Sequence, residues 1–258
     1  MKYDIWDKIN LANILHNCSH SDISPNDIGR VSEYLKDFTP FYPLSALTKD
    51  LKDEQRCWAI RAVLNKVPRG GRVLEIGAGN PYVSETLRRL GYDMTIVDPY
   101  EGHGGGPTNF DKLKSNFPKI NFIRTFFSSG CTNEITDGSF DAIISVSVLE
   151  HITPENLSEI GLGIRQYLRQ GGVSIHAVDF PILGPGFERR CNHLDVINEE
   201  IVFQKIDSKT FALSMREELD LMMMPSYVFV QNHTNAKSHN KPVWQRWVSI
   251  NLVGEMSL

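Results

Sequence analysis

Hydrophobic positions along the chain follow two rhythms. Over residues 1–70 they recur at helical spacing. Ile5, Ile9, Leu11, Ile14 and Leu15 form one stripe, as an amphipathic helix requires. Ser24-Pro25 reads as an N-cap followed by proline at the first helical position, and Ile28, Val31 and Leu35 continue a face. Proline suits that position because its missing N–H would have no partner there anyway. After the Pro40-Phe41-Tyr42-Pro43 joint, a third helix is predicted from about Leu51 to Val67. Cys57, Ile60, Val63, Leu64 and Val67 turn toward the core, and Pro68-Arg69-Gly70-Gly71 stops it.

Then short, nearly continuous apolar runs begin to alternate with helical stretches. Val73-Leu74-Glu75-Ile76, Met94-Thr95-Ile96-Val97, Ile120-Asn121-Phe122-Ile123, Phe140 to Val146 and Val173 to Val178 read as strands. Such runs suit strands buried on both faces. Between them, Tyr82 to Leu90 (closed by Gly91), Phe110 to Asn116, and a stretch capped by Thr153-Pro154 and running to about Leu168 read as helices. This alternation predicts an α/β fold: a doubly wound, mostly parallel sheet with helices on both faces and right-handed crossovers. Beyond Asp179 the pattern loosens. Residues 181–186 read as a loop, and residues 196–220 fit a helix or a hairpin. Tyr227-Val228-Phe229-Val230 and Val243 to Leu252 read as two late strands, joined by the polar segment Asn232 to Asn240.

Composition narrows the classes. The 258 residues carry a net charge of −4 and are 41% hydrophobic, which excludes a disordered chain. The balance also argues against a nucleic-acid partner and against a polybasic membrane surface. Cys18, Cys57, Cys131 and Cys191 are scattered with no CxxC pair, so reduced thiols and a cytoplasmic location are expected. The N-terminus is acidic where a signal peptide is basic and apolar, and no apolar stretch approaches the roughly 20 residues of a membrane span. His16, Cys18 and His20 lack the regular four-ligand spacing of structural zinc, so no metal is expected.

The candidate chemistry gathers where the first strand meets a glycine bend, at Gly77-Ala78-Gly79-Asn80. In an open parallel sheet, ligands sit beyond the carboxyl ends of the strands, where the strand order reverses. Gly77 and Gly79 lack Cβ atoms, so a ligand can approach their backbone. Asp98 stands at the tip of the second strand, where an ionised carboxylate accepts hydrogen bonds from neighbouring hydroxyls. A dinucleotide fingerprint needs glycine where Tyr82 stands, and a pyrophosphate would sit poorly beside Glu75.

Four segments, in order, resemble the class I S-adenosylmethionine-dependent methyltransferases. They are Val73-Leu74-Glu75-Ile76-Gly77-Ala78-Gly79-Asn80, Asp98, the run Phe140 to Ile152, and Leu168-Arg169-Gln170-Gly171-Gly172-Val173. Together they cover residues 70–180. The resemblance implies a seven-stranded Rossmann-like sheet with the last strand antiparallel. It implies S-adenosylmethionine as cofactor and S-adenosylhomocysteine as product. It also implies a cofactor-binding set of Glu75, Gly77, Gly79, Asn80, Asp98, Phe126, Phe127 and Ser145. Glu75 would place negative charge near the cationic ligand. Two departures stand out: Pro81 replaces a third glycine, and Arg124-Thr125-Phe126-Phe127-Ser128 lacks the acidic residue that often contacts adenine. Phe126 or Phe127 would contact adenine apolarly instead. Asn80-Pro81-Tyr82 follows the first strand rather than the fourth, which argues against a nucleic-acid base as substrate.

Methyl transfer from a sulfonium is an in-line displacement, helped by a base when the nucleophile must lose a proton. His151 lies just before the helix capped by Thr153-Pro154, whose positive end favours neutral imidazole. Asp179, at the end of the fifth strand, faces the expected cleft mouth. His176 reads as a core histidine, Met222-Met223-Met224 as core or pocket wall, and Arg189-Arg190 as a solvated loop or an anion clamp. The expected organisation is an N-terminal helical lid over residues 1–70 and an α/β domain over 71–258, with a substrate-lid insertion at about 180–225. The expected function is methyl transfer to a small-molecule or saccharide acceptor. A nicotinamide-dependent oxidoreductase and a catalytically degenerate binding protein of the same fold are the alternatives. The sequence leaves the oligomeric state open.

Overall fold

The computed structural model describes residues 5–18, 23–48, 50–102, 106–183, 186–218, 223–225 and 246–257. In chain order the strands are β1 (Asn26–Ile28), β2 (Arg72–Ile76), β3 (Asp93–Val97), β4 (Asn121–Ile123), β5 (Phe140–Val146), β6 (Leu168–Leu183), β7 (Met223–Pro225) and β8 (Arg246–Glu255). The helices are α1 (Leu11–Cys18), α2 (Val31–Phe38), α3 (Leu51–Lys66), α4 (Tyr82–Arg89), α5 (Phe110–Asn116), α6 (Pro154–Tyr167), α7 (Phe187–Glu200) and α8 (Ser208–Ser214).

The main sheet has seven strands in the order β1-β8-β6-β5-β2-β3-β4, and β7 pairs with β8 off that path. Neighbours from β4 to β6 run parallel, and β8 lies antiparallel against β6. Strand order reverses at β2, whose two neighbours are β3 and β5. Ligands of open parallel sheets bind beyond such a point.

Successive strand side chains point to opposite faces, and the buried residues divide accordingly. Val73, Met94, Ile96, Ala142, Ile144 and Ile175 join one cluster with Trp6, Ile14, Phe41, Trp58, Ile60 and Leu87. Leu74, Ile76, Val97, Ile143, Val178 and Ile250 join the other with Leu157, Ile164, Leu194, Ile197 and Ala212. Residues from the N-terminal segment therefore share the core of the first face. The helix α3 lies between that segment and the sheet, and is buried on nearly every side from Leu51 to Val63. It is not the one-faced helix that the spacing of its apolar residues predicts.

Three other expectations change. Ser24-Pro25 does not open a helix. Asn26, Asp27 and Ile28 pair antiparallel with Leu252, Asn251 and Ile250, and α2 begins only at Val31. The open edge of β8 supplies backbone partners that outweigh the local capping signal. Val31 and Leu35 consequently face outward, with Leu35 64% exposed. Second, Asp179 does not end its strand, because β8 runs alongside β6 as far as Leu183. Pairing of β6 with β5 stops at Ala177. Pro181 thus falls where β6 has one unpaired edge, and a missing amide donor is tolerated there. Third, the ambiguous stretch 196–220 holds the end of α7, an irregular link over 201–207, α8 and a 3-10 turn (Met215–Glu217), and 219–220 lie outside the described residues. The segments Tyr227 to Val230 and Asn232 to Asn240, together with His20, Met222 and His103 to Gly105, lie outside the described residues.

Candidate functional site

Register puts the glycine bend beside Asp98. Ile76 pairs with Val97, so β2 and β3 end level with each other. The Gly77 amide donates to the Val97 carbonyl at 2.9 Å. Gly77 and Gly79 have φ of +64° and +55°, the left-handed region that glycine enters without a Cβ penalty. A Cβ on Gly77 would lie 2.9 Å from Val148 Cγ2, whereas among the described residues one on Gly79 would meet only Pro107 Cδ, at 3.5 Å. The first glycine allows close packing; the second leaves an open face. The Gly79 amide donates to Asp98 Oδ2 at 2.9 Å and the Tyr100 amide to Asp98 Oδ1 at 2.7 Å. Each carboxylate oxygen has more than one acceptor site, so both keep capacity for a ligand hydroxyl. Asn80 Oδ1 is buried and has no hydrogen-bond partner among the described residues.

The other cofactor candidates are placed differently. Glu75 turns toward α4, where its Oε2 accepts from the Ser84 amide at 3.1 Å and from the Ser84 hydroxyl. Burial pushes its carboxyl up to about 7, against the pull of the Ser84 hydrogen bonds. It braces the bend from behind. Phe126 is 58% exposed, whereas Phe127 is 6% exposed and packs edge-on against Tyr167 at 5.9 Å. Ser145 is fully buried, with its hydroxyl 2.7 Å from His176 Nδ1. The other ring nitrogen of His176 meets Ser174 Oγ at 2.7 Å, and burial pushes this imidazole down to about 3. His176 is a satisfied core histidine. Arg56, almost fully buried, stacks 5.2 Å from the Tyr82 ring centroid and donates to Asp53 at 3.1 Å.

A second group lies past the end of β5, beside Asp179 within β6. Ser147 has φ +52°, rare for a residue with a side chain. Its hydroxyl is 2.8 Å from Gln55 Oε1 and 3.4 Å from Asp179 Oδ1. Gln55 Nε2 donates to Asp179 Oδ1 at 2.9 Å, and the Asp179 amide to Glu150 Oε1 at 3.2 Å. Glu150 Oε2 is buried with no hydrogen-bond partner among the described residues. Burial, then the charge of Asp179, pushes Glu150 up to about 8. His151 sits on a 3-10 turn (Leu149–His151), its side chain 55% exposed and its Nε2 3.9 Å from Glu150 Oε1. Arg190 donates to the backbone carbonyl of Glu150 at 2.9 Å and stacks over Trp247. It is a half-buried contact of this group rather than part of a solvated loop.

The fold thus joins Gly77, Gly79, Asn80 and Asp98 in one crevice, and His151 with Asp179 in another group. Sequence reading missed Gln55, Ser147 and Glu150. Glu150 had a signal, a carboxylate between Leu149 and the apolar Ile152. Gln55 had none, because its partner lies 124 residues away.

Residues 51–180, half of the chain, match a family profile described as a methyltransferase domain. A stretch of 100 residues is 31% identical to the ubiquinone biosynthesis O-methyltransferase of Azorhizobium caulinodans. That stretch covers 38% of this chain and 35% of the relative, so the chain spans about a third of the relative's length. Among solved structures, the YcgJ protein of Bacillus subtilis aligns with a TM-score of 0.49 and 13% identity, over 79% of this chain and 98% of that one. A methyltransferase from Mesorhizobium loti aligns with a TM-score of 0.42 and 17% identity, over 76% and 97%. No helix of the described residues is long and apolar enough to cross a membrane. With the family profile laid over the glycine bend and the strand-tip carboxylate, the chain belongs to the methyltransferase-domain family, the S-adenosylmethionine-dependent class I methyltransferases.

Proposed function

We propose that this protein transfers a methyl group from S-adenosylmethionine to a hydroxyl of a small-molecule acceptor, leaving S-adenosylhomocysteine. The observation that carries this reading is the Asp98 carboxylate, held by the Gly79 and Tyr100 amides with acceptor capacity left on both oxygens. A pair of adjacent ribose hydroxyls matches that arrangement. The open face at Gly79 and the unpartnered Asn80 Oδ1 also fit a ligand bearing an amino group. The exposed Phe126 ring is the surface that meets adenine. Glu75, Phe127 and Ser145 act as supports, since each is already engaged inside the fold.

When bound, the cofactor supplies an electrophilic methyl carbon on a sulfonium. The chain's own residues position the acceptor and accept its proton. His151 is the exposed titratable group of the second cluster and serves as the base. The hydroxyl acceptor is supported by the O-methyltransferase relative, and a saccharide belongs to the same hydroxyl-bearing class.

Thermal denaturation with S-adenosylhomocysteine and, separately, with NAD tests the reading. Stabilisation by S-adenosylhomocysteine that grows with its concentration is expected. Stabilisation by NAD alone contradicts it.

A further inference from the structure

Arg190, in the first turn of α7, is a half-buried cation beside the turn that carries His151. Its Nη1 donates to the Glu150 carbonyl at 2.9 Å, and its guanidinium lies 5.9 Å from the centroid of the Trp247 ring. Among the described residues it enters no ion pair and donates no other side-chain hydrogen bond. A guanidinium is a planar fork of five N–H donors, so most of this fork is unused by the fold. Burial first, then the charge of Arg189, holds the guanidinium below its ordinary value, against the more distant attraction of Glu150 and Asp179. Those carboxyls are engaged with other groups: Asp179 accepts from Gln55, and Glu150 Oε1 accepts from the Asp179 amide. A charge drawn partly out of water without a counter-ion is costly, and an incoming anion relieves that cost.

The contacts of Arg190 place it at the acceptor end of the sheet. Glu150 directly precedes His151 on the 3-10 turn. Trp247 pairs with Pro181, two residues beyond Asp179 on β6. Strands β5 and β6 separate β8 from β2, so Arg190 stands apart from the Gly79–Asp98 crevice. The His193 ring meets the Leu149 carbonyl at 3.1 Å and fixes α7 against the same turn. Arg216 repeats the pattern near the end of β6. Its Nε donates to the Ile182 carbonyl at 2.8 Å and its guanidinium stacks 4.4 Å from the Phe187 ring centroid, again with no ion pair among the described residues. Two guanidiniums are thus held by a carbonyl and a ring, which orient the side chain and leave its charge uncompensated.

We propose that Arg190 receives an oxyanion of the acceptor, so that the compound methylated carries a carboxylate or phosphate as well as its hydroxyl. The inference rests on the methyl-transfer reading above and names the substrate class within it. A guanidinium fork matches either oxyanion through two parallel hydrogen bonds. Because Trp247 and the Glu150 carbonyl already hold the side chain, little rotamer freedom is lost on binding. The anchored anion orients the hydroxyl toward His151. A neutral analogue leaves the half-buried charge unpaired, and the site discriminates against it for that reason. A saccharide fits this site when it bears such a group.

NMR of the Arg190 Nε–Hε group and of the His151 ring tests the proposal, in the full chain with S-adenosylhomocysteine present and at constant ionic strength. The probes are 3-hydroxybenzoate, its neutral amide 3-hydroxybenzamide, and glycerol 3-phosphate. At least one of the two anions is expected to shift both signals saturably with a single dissociation constant, and the amide binds about tenfold more weakly or worse. Whichever anion binds more tightly tells carboxylate from phosphate. Arg190→Gln weakens that anion by about tenfold or more, while Arg189→Gln, on the exposed neighbour, does so by less than about threefold. If Arg190→Gln does not fold, the wild-type comparison of 3-hydroxybenzoate with its amide decides. No saturable Arg190 shift with either anion, or equal affinity for the amide, overturns the proposal. An Arg190 shift that leaves His151 unmoved also overturns it, as an adventitious ion only. Calorimetry with S-adenosylhomocysteine separates the two readings. Bound product without an anion response refutes the oxyanion site alone, and an anion response without bound product refutes methyl transfer.

Discussion

The two halves of the sheet's carboxyl edge are built from different materials. At the tips of β2 and β3 the groups offered to a ligand are backbone and one strand-tip carboxylate. They sit close along the chain, and strand register brings them level. Past the end of β5 the groups are buried side chains drawn from α3, from within β6 and from the turn before α6, and each depends on partners far away in sequence. The first half is a rigid cradle set by local geometry. The second is a polar cluster whose protonation depends on burial. A cradle of backbone suits a ligand shared across a family, whereas the cluster can differ from one acceptor to the next.

Substitutions can separate the halves. The largest expected effect is at Phe127, which fills the core rather than the crevice. Phe127→Ala should cost about 3–5 kcal/mol of stability in urea denaturation, while Phe126→Ala stays within about 0.5 kcal/mol. Equal losses would erase the distinction between support and contact.

The pH dependence of stability comes next. Glu75 and Glu150 both stand above the ordinary carboxyl value in the folded chain, at about 7 and about 8. Their contribution is therefore fully present below the unfolded value and is lost as pH rises through the folded values. These two contributions should fall away between about pH 4.5 and about pH 8. Glu75→Gln should remove the part of the decline that ends near 7, on the order of 3 kcal/mol. Glu150→Gln should remove the part that ends near 8. Denaturation curves across that range check both.

On the cradle itself, Asp98→Ala should weaken S-adenosylhomocysteine binding by about 1.5–3 kcal/mol by calorimetry, the range for hydrogen bonds to a charged group. The smallest effect concerns backbone conformation. Ser147→Gly and Ser147→Ala both lose the hydroxyl, but only glycine is at ease at φ +52°. The glycine variant should be more stable by about 1 kcal/mol. No difference would mean that the left-handed conformation at Ser147 carries no strain.

The same contrast explains what could be read from the sequence. The bounds of β5 and α5 are legible to the residue, because a strand buried on both faces writes its limits locally and Pro118 follows closely on the end of α5. The bend and Asp98 are legible because their spacing follows from two adjacent strands. The three residues of β1 are not, since only the edge of β8 makes them a strand. The direction taken by Glu75 is not legible either. A carboxylate before a glycine bend can face the ligand or the following helix, and Ser84 decides it. Ser145 and Gln55 depend on His176 and Asp179, contacts that exist only in the folded chain.

The most direct test of the central claim is a crystal structure of the protein with S-adenosylhomocysteine at saturating concentration. The account predicts both ribose hydroxyls on the Asp98 carboxylate, with the ligand lying along the open face at Gly79. Density for the ligand elsewhere, with no contact at Asp98, would contradict it.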